Sequence, residues 1–223
     1  MKHAMFNRRQ WLLSASATLA ASSLSEGASP SLQVASELPE QALKRLIDGN
    51  ARFVAGKSEA PHRNLERLKE IAPRQAPYAA FLGCADSRVP IEIIFDQGFG
   101  DLFVTRIAGN VVTPECIGSL EFATLLGVKV VYVLGHTSCG AVQAAAEGKE
   151  VPGQISVLFQ HIRPAVKAAT GDMSKAIQEN VRLQAGLLAE SSTVLSRLIK
   201  EKKLIIAGGV YDLKTGIVEP VKL

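Results

Sequence analysis

The chain has 223 residues, of which 47% are hydrophobic and 21% are charged, as expected of a soluble globular protein with one main core or at most two small ones. The formal net charge is +4, and no long basic run or aromatic-studded basic patch accompanies it, so the sequence argues against a nucleic-acid partner. Most apolar residues are aliphatic, as in strands that are buried on both faces of a parallel sheet.

The N-terminal segment predicts an export signal rather than part of the fold. Arg8 and Arg9 precede an apolar, Ser-rich stretch at 11–24, which is shorter than the roughly 20 residues that a membrane span needs. This pattern resembles a twin-arginine signal, and the alternative is a disordered tail with a chance arginine pair. We therefore predict that residues 1–36 are a cleaved export signal and linker, and that residues 37–223 form a single domain. The protein, with no stable membrane span, would reach the periplasm or an equivalent extracytoplasmic compartment.

Two helices are predicted at the start of this domain, within 38–56 and 60–73, because apolar residues recur there at helical spacing. No strand is predicted between these helices. They are therefore free either to wrap the sheet or to lie on a partner subunit.

Aliphatic strands alternate with helices in the rest of the chain. Strands are predicted within 78–83, 101–110, 128–135 and 203–213, with a hairpin at 212–221 that adds an edge strand. Helices are predicted within 113–127, 136–149 and, as one or two helices, 154–200. This order predicts an α/β fold with a mainly parallel central sheet flanked by helices and an antiparallel edge strand at the C-terminus.

Two short motifs, GCADSRV and GHTSCGA, directly follow predicted strands. In each motif a glycine comes after the strand and a potential metal ligand comes next. Because ligand sites of parallel sheets lie outside the carboxyl ends of their strands, we expect Cys84 to lie close to His136 and Cys139. Cysteine and histidine are good zinc ligands, and Cys139 also stands where a helix begins, which favours its thiolate.

Each of these residues alone has a simpler interpretation. A buried cysteine is usually a small core residue, and a lone histidine is more often hydrogen-bonded in a core or exposed. Cys116 keeps this interpretation, because no histidine or cysteine lies near it in the sequence. Three cysteines are also a poor disulfide framework for an exported protein. The shared position of the two motifs therefore favours a metal site.

The pairing of Cys-x-Asp-x-Arg with a later His-x-x-Cys resembles the β-class carbonic anhydrases. The resemblance runs from about residue 38 to the C-terminus and includes the stretches DGNARF, GCADSRV, GDLFVTRIAGN, GHTSCGAV and GGVYDLKTG. It implies a single catalytic domain that hydrates carbon dioxide reversibly to bicarbonate and a proton through a zinc-bound hydroxide. It also implies a homodimer, or a multiple of dimers, in which the N-terminal helices pack on the partner.

Site residues follow from the same resemblance, position by position. It implies one Zn²⁺ per chain, held by Cys84, His136 and Cys139. Asp86 and Arg88 match the family's catalytic dyad. The implied substrate-binding residues are Gln75, Phe103, Phe122 and Gly140, of which Phe122 replaces a tyrosine that some members carry.

Elementary electrostatics suggests how Asp86 and Arg88 can assist a zinc site of this composition. Two thiolates and one neutral histidine cancel the charge of zinc, and such a neutral site lowers the pKa of bound water less than an all-histidine site, where the pKa is about 7. Asp86 can accept a hydrogen bond from the hydroxide, but a nearby carboxylate can also bind the zinc itself. Arg88 can pair with Asp86 and hold it off the metal; the alternative is an ordinary surface salt bridge.

Two other functions stay open from the sequence alone. One is a hydrolase for carbonyl sulfide or carbon disulfide that uses the same site. The other is an exported zinc-binding protein without catalytic activity. A thiol-redox role is disfavoured, because the chain has no Cys-x-x-Cys pair.

Overall fold

The computed structural model describes residues 37–223 of the chain. The predicted export signal and linker, residues 1–36, lie outside the described residues, so the boundary between signal and domain stays a prediction. Within the described part, no helix combines the length and the apolar character that a membrane span requires.

A five-stranded sheet forms the centre of the domain, with the strand order β2-β1-β3-β4-β5. The strands are β1 (Ala79–Gly83), β2 (Leu102–Arg106), β3 (Val130–His136), β4 (Ile205–Tyr211) and β5 (Val218–Pro220). The first four strands are parallel, and β5 runs antiparallel to β4. The predicted α/β fold, with a mainly parallel sheet and an antiparallel C-terminal edge strand, is therefore confirmed.

The central strands are short aliphatic runs that bury both of their faces. Every residue of β1 and β3 is buried. Along β1, Ala80 and Leu82 join the hydrophobic cluster on one face, whereas Ala79 and Phe81 join the cluster on the other. This alternation follows from the two-residue period of a strand. Helices must therefore cover both faces of the sheet.

Eight α-helices flank the sheet within the described residues. They are α1 (Pro39–Val54), α2 (Leu65–Ile71), α3 (Ile91–Ile94), α4 (Pro114–Leu125), α5 (Gly140–Glu147), α6 (Ser156–Ala168), α7 (Met173–Ser191) and α8 (Thr193–Lys200). A short 3₁₀ turn, Ala108–Asn110, follows β2.

Two features of the helices differ from the sequence prediction. The pattern does not predict α3, because its four residues are too few to show a helical period. The region 154–200 holds three helices instead of one or two. The extra boundary is Ser192, whose hydroxyl accepts a hydrogen bond from the Leu195 N–H and caps the start of α8.

A buried carboxylate anchors the end of α1 and the loop that follows it. Asp96, which is fully buried, lies 2.7 Å from the Nε of Arg52, and it accepts hydrogen bonds of 2.9 Å from the N–H groups of Glu59 and Ala60. Burial opposes the ionisation of Asp96, but these hydrogen bonds outweigh it and lower the pKa of the carboxyl group.

The order of the strands leaves a crevice at one edge of the sheet. The chain adds β2 on one side of β1 and then β3 on the other side. Where strand order reverses in this way, the carboxyl ends of the two neighbouring strands border the usual ligand site of an open α/β sheet. The ends of β1 and β3 therefore mark the expected position of a functional site.

Candidate metal centre

Two strand ends and one helix start bring three potential metal ligands together. Gly83, the last residue of β1, pairs with Leu134 of β3, so Cys84 follows directly beside the end of β3. His136 is the last residue of β3, and Cys139 is the N-cap of α5. The predicted proximity of Cys84 to His136 and Cys139 is therefore observed.

The three side chains form a compact buried cluster. One ligand atom from each, two sulfurs and a ring nitrogen, all lie within 4.8 Å of one another. The Nδ1 of His136 lies 3.0 Å from the carbonyl oxygen of Thr137, to which it donates a hydrogen bond as Nδ1–H. The Nε2 of His136 is buried and has no hydrogen-bond partner among the described residues. This leaves its lone pair available to a metal ion.

The two thiols influence one another strongly. The hydrogen bond from the Cys139 thiol, aided by the Gly109 N–H, outweighs burial and lowers the pKa of Cys84. The same pairing, together with burial, raises the pKa of Cys139. The pair alone therefore favours one thiolate, and a cation is needed to stabilise thiolates at both positions.

The donor set of this cluster fits zinc. Two cysteine sulfurs and one histidine nitrogen are a known set for a catalytic zinc site, which keeps a fourth position open. The unpartnered Nε2 of His136 supports the fit, because a buried polar atom without a partner is costly unless a ligand satisfies it. Cys116, the third cysteine, is buried in α4 and accepts a hydrogen bond from the Thr113 hydroxyl at 3.4 Å instead.

Asp86 and Arg88 lie beside the cluster and are paired. Arg88 donates to both oxygens of the Asp86 carboxylate, from Nε at 2.9 Å and from Nη2 at 2.8 Å. These hydrogen bonds hold the pKa of Asp86 well below its usual range. The Oδ2 of Asp86 lies 3.8 Å from the Nε2 of His136, so the carboxylate stands at the edge of the cluster.

Arg88 and a second arginine fix the two loops that carry the ligands. The Nη2 of Arg88 also lies 3.4 Å from the carbonyl oxygen of Ser138, in the loop between His136 and Cys139. Arg106, at the end of β2, donates to the carbonyl oxygen of Cys84 at 2.9 Å and to that of Asp86 at 2.6 Å. No motif in the sequence predicts this contact of Arg106, because its partners are main-chain oxygens.

The four implied substrate-binding residues lie at different distances from the cluster. Gly140, the first residue of α5, directly follows Cys139. Phe103 pairs with Ala80, which lies four residues before Cys84 and therefore roughly 13 Å from it along the strand. Phe122 packs against Phe103, with 6.3 Å between ring centroids, and is half exposed. Gln75 is exposed in the loop between α2 and β1. Of these four residues, Gly140 is the one that is directly bonded to a candidate metal ligand.

Comparisons with known proteins all lead to one family. The family model for carbonic anhydrase matches residues 79–218. Carbonic anhydrase 2 of Mycobacterium tuberculosis is 39% identical over 187 residues, which cover 80% of this chain and 90% of that protein. A carbonic anhydrase of Mycolicibacterium smegmatis is 40% identical over 190 residues, which cover 81% and 92%. The solved structure of the β-carbonic anhydrase CafA of Aspergillus fumigatus is 28% identical with a TM-score of 0.61, and the match covers 81% of this chain and 90% of that one.

Proposed function

The chain belongs to the β-class carbonic anhydrases, and we propose that it interconverts carbon dioxide and bicarbonate with a zinc ion held by Cys84, His136 and Cys139. The observation that carries this assignment is the buried Nε2 of His136, which has no hydrogen-bond partner among the described residues, in a cluster whose three ligand atoms lie within 4.8 Å of one another. When bound there, zinc would supply the Lewis acidity that lowers the pKa of a water molecule and makes it nucleophilic.

Asp86 is proposed to orient that water. Its carboxylate stands at the edge of the cluster, and its low pKa keeps it ionised, so that it accepts hydrogen bonds and donates none. A fixed acceptor of this kind selects one orientation of the water lone pairs, which is a form of preorganisation.

Arg88 is proposed to position Asp86. Its guanidinium donates to both carboxylate oxygens, which would keep Asp86 from acting as a further ligand of a zinc ion held by the cluster. The hydrogen bond from Arg88 to the carbonyl oxygen of Ser138 also connects the loop after β1 to the loop after β3, so Arg88 holds both loops that carry the candidate ligands.

Gln75, Phe103, Phe122 and Gly140 are proposed to line the substrate pocket. The contact between Phe103 and Phe122 provides an apolar surface, which suits a small apolar molecule such as carbon dioxide. Gly140 adjoins Cys139 and leaves room for a substrate, since no other described residue outside its own helical turn lies within 4 Å of the place where its Cβ would be. Substituting Gln75 by Ala tests the pocket: a raised KM is expected, and an unchanged KM would remove Gln75 from it.

A homodimer, or a multiple of dimers, is the proposed assembly. The two N-terminal helices leave large apolar side chains exposed, including Ile47, Leu65 and Leu68, and Leu38 at the N-cap of α1 is exposed as well. β2 lies at the edge of the sheet, where a second copy can extend it. Light scattering on the full chain tests this proposal, and a monomer at micromolar concentration would contradict it.

Export through the twin-arginine route is proposed for the segment 1–36, on its sequence pattern alone. A route for folded proteins would let the chain load zinc on its thiolates before it meets an oxidising compartment. Changing Arg8 and Arg9 to Lys should retain the protein in the cytoplasm, and unchanged export would refute the proposal.

The catalytic proposal is tested by stopped-flow hydration of carbon dioxide, run beside zinc quantification on the same sample. We expect one zinc per chain and hydration that disappears with the metal. Turnover of carbonyl sulfide or carbon disulfide without hydration of carbon dioxide would contradict the proposed substrate. Zinc-loaded protein without any turnover would favour a binding role instead.

A further inference from the structure

A chain of buried hydrogen bonds connects α7 to the candidate metal centre. The Gly109 N–H donates to the Sγ of Cys84 at 3.3 Å. The carbonyl oxygen of the same residue accepts from the Nδ2 of Asn180 at 2.9 Å. Asn180 is 1% exposed, and its side-chain oxygen accepts in turn from the Nε2 of Gln184 at 3.1 Å.

Gln184 fixes the other end of the same loop. Its Oε1 accepts from the Val112 N–H at 2.8 Å, and its Nε2 also donates to the carbonyl oxygen of His161 at 3.1 Å. Gln184 is fully buried, and both hydrogens of its side-chain amide have acceptors. Two amides, four residues apart on one face of α7, therefore hold the loop 109–112 at both of its ends.

Gly109 has little freedom to take another position. Its φ of 76° lies in the left-handed region, and a Cβ there would lie 2.7 Å from the Cδ1 of Ile162 and 3.2 Å from the Cβ of Ala141. The loop is thus packed closely on α5 and α6, and Asn180 fixes the remaining orientation of the peptide through its carbonyl group.

We infer that Asn180 is a positioning residue for the metal centre, which acts through Gly109 to direct a main-chain N–H at the sulfur of Cys84. An N–H directed at a thiolate stabilises its negative charge and restricts the directions in which its lone pairs can point. Gln184 supports Asn180 and contributes less, because it lies one hydrogen bond further from the sulfur. The inference rests on the proposed role of Cys84 as a metal ligand.

Three variants of the full chain, each replacing a buried side-chain amide by an apolar side chain of similar shape, test this inference. Asn180→Leu removes the donor to Gly109, and Gln184→Met removes the support behind it. Asn50→Leu is the matched control, because Asn50 is also buried and donates from Nδ2 to main-chain carbonyls, those of Ile94 at 3.1 Å and Gly216 at 2.9 Å. Each protein is measured for urea stability, for zinc retention against a chelator, and for the thiolate-to-cobalt absorption band after cobalt(II) substitution.

Asn180→Leu should shift the cobalt band to longer wavelength and weaken zinc retention about tenfold, the low end of the effect of losing a group that orients a metal ligand. Gln184→Met should shift the cobalt band and weaken zinc retention in the same directions, but by less. Asn50→Leu should lose stability with an unchanged cobalt band. If Asn180→Leu matches Asn50→Leu in both metal readouts, the inference is wrong.

Two further outcomes are also decisive. If Asn180→Leu does not fold, Gln184→Met decides: a folded variant with the wild-type cobalt band and zinc retention overturns the inference. If wild-type protein binds cobalt without a thiolate band, the proposed metal ligands are wrong, and Asn180 then has no metal centre to position. A normal wild-type band with an unaffected Asn180→Leu refutes the role of Asn180 alone.

Discussion

Arg88 and Asp86 form a two-point ion pair, in which the Nε of Arg88 lies 2.9 Å from Oδ1 and its Nη2 lies 2.8 Å from Oδ2. The main-chain N–H of Arg88 adds a third hydrogen bond, to Oδ1 at 2.9 Å. Both carboxylate oxygens are therefore occupied while Oδ2 stays 3.8 Å from the Nε2 of His136. The pair shows how a carboxylate can lie beside the metal ligands without joining them.

Arg88→Ala should lower kcat by about 100-fold with zinc content unchanged, because a carboxylate that is free to move loses its fixed orientation. The kcat of Arg88→Lys should lie between those of wild type and Arg88→Ala, since an ammonium group cannot bond both oxygens in the planar geometry of a guanidinium. Stopped-flow hydration with a pH indicator measures the effect. Wild-type kcat in Arg88→Ala would show that the pair is only a surface salt bridge.

Asp86→Ala should lower kcat by about 100-fold and leave the zinc content at one per chain. Asp86→Asn keeps the shape of the side chain but loses its negative charge, and it should be impaired to a similar degree. The same hydration assay, with zinc quantified on each sample, measures both variants. Full activity in Asp86→Ala would remove Asp86 from the mechanism.

Arg106→Ala should lower kcat/KM about tenfold, because the turn that carries Cys84 and Asp86 loses both of its side-chain hydrogen bonds from β2. Arg182→Ala is the matched control. Its Nε donates to the carbonyl oxygen of Lys222 at 2.9 Å, a bond of the same kind outside the site. Equal activities in the two variants would mean that Arg106 has no specific effect on the centre.

Asp96→Asn should reduce the free energy of unfolding by about 3 kcal/mol at neutral pH, because it removes the charge of a fully buried carboxylate that pairs with the partly buried Arg52. Folding lowers the pKa of Asp96. The ionised carboxylate therefore contributes to stability above the unfolded-state pKa of about 3.9, and this contribution is lost as the pH falls through the folded-state pKa. The difference in free energy of unfolding between wild type and Asp96→Asn should therefore become smaller below about pH 4.

Urea titrations of both proteins across pH measure this difference. Asp48→Asn is the control, because Asp48 pairs with Lys44 on the surface, where such a pair contributes at most about 1 kcal/mol. If the free energies of unfolding of wild type and Asp96→Asn differ by the same amount down to acid pH, the ionisation of Asp96 does not contribute to stability as described.

The sequence predicts the part of this molecule that depends on local patterns. Aliphatic runs identify β1 and β3, and the glycine and ligand that follow each strand identify Cys84 and His136 at the crevice. Helix α3 is not predicted, because four residues carry no period, and the boundary at Ser192 is hidden within a continuous amphipathic region.

The residues that support the site are less visible in the sequence. Arg106 and Asn180 act on main-chain carbonyls of residues that lie far away along the chain, and such partners leave no pattern. No sequence pattern marks Asp96, which the fold buries beside Arg52. Sequence spacing can thus indicate the metal ligands, whereas the groups that orient them become visible only in three dimensions.

Zinc content and carbon dioxide hydration, measured together on Cys139→Ser and Cys116→Ser, test the central assignment most directly. Both cysteines are buried, but only Cys139 belongs to the cluster with Cys84 and His136. We expect Cys116→Ser to keep one zinc per chain and wild-type hydration, and Cys139→Ser to lose both. Retention of zinc and activity in Cys139→Ser would contradict the account.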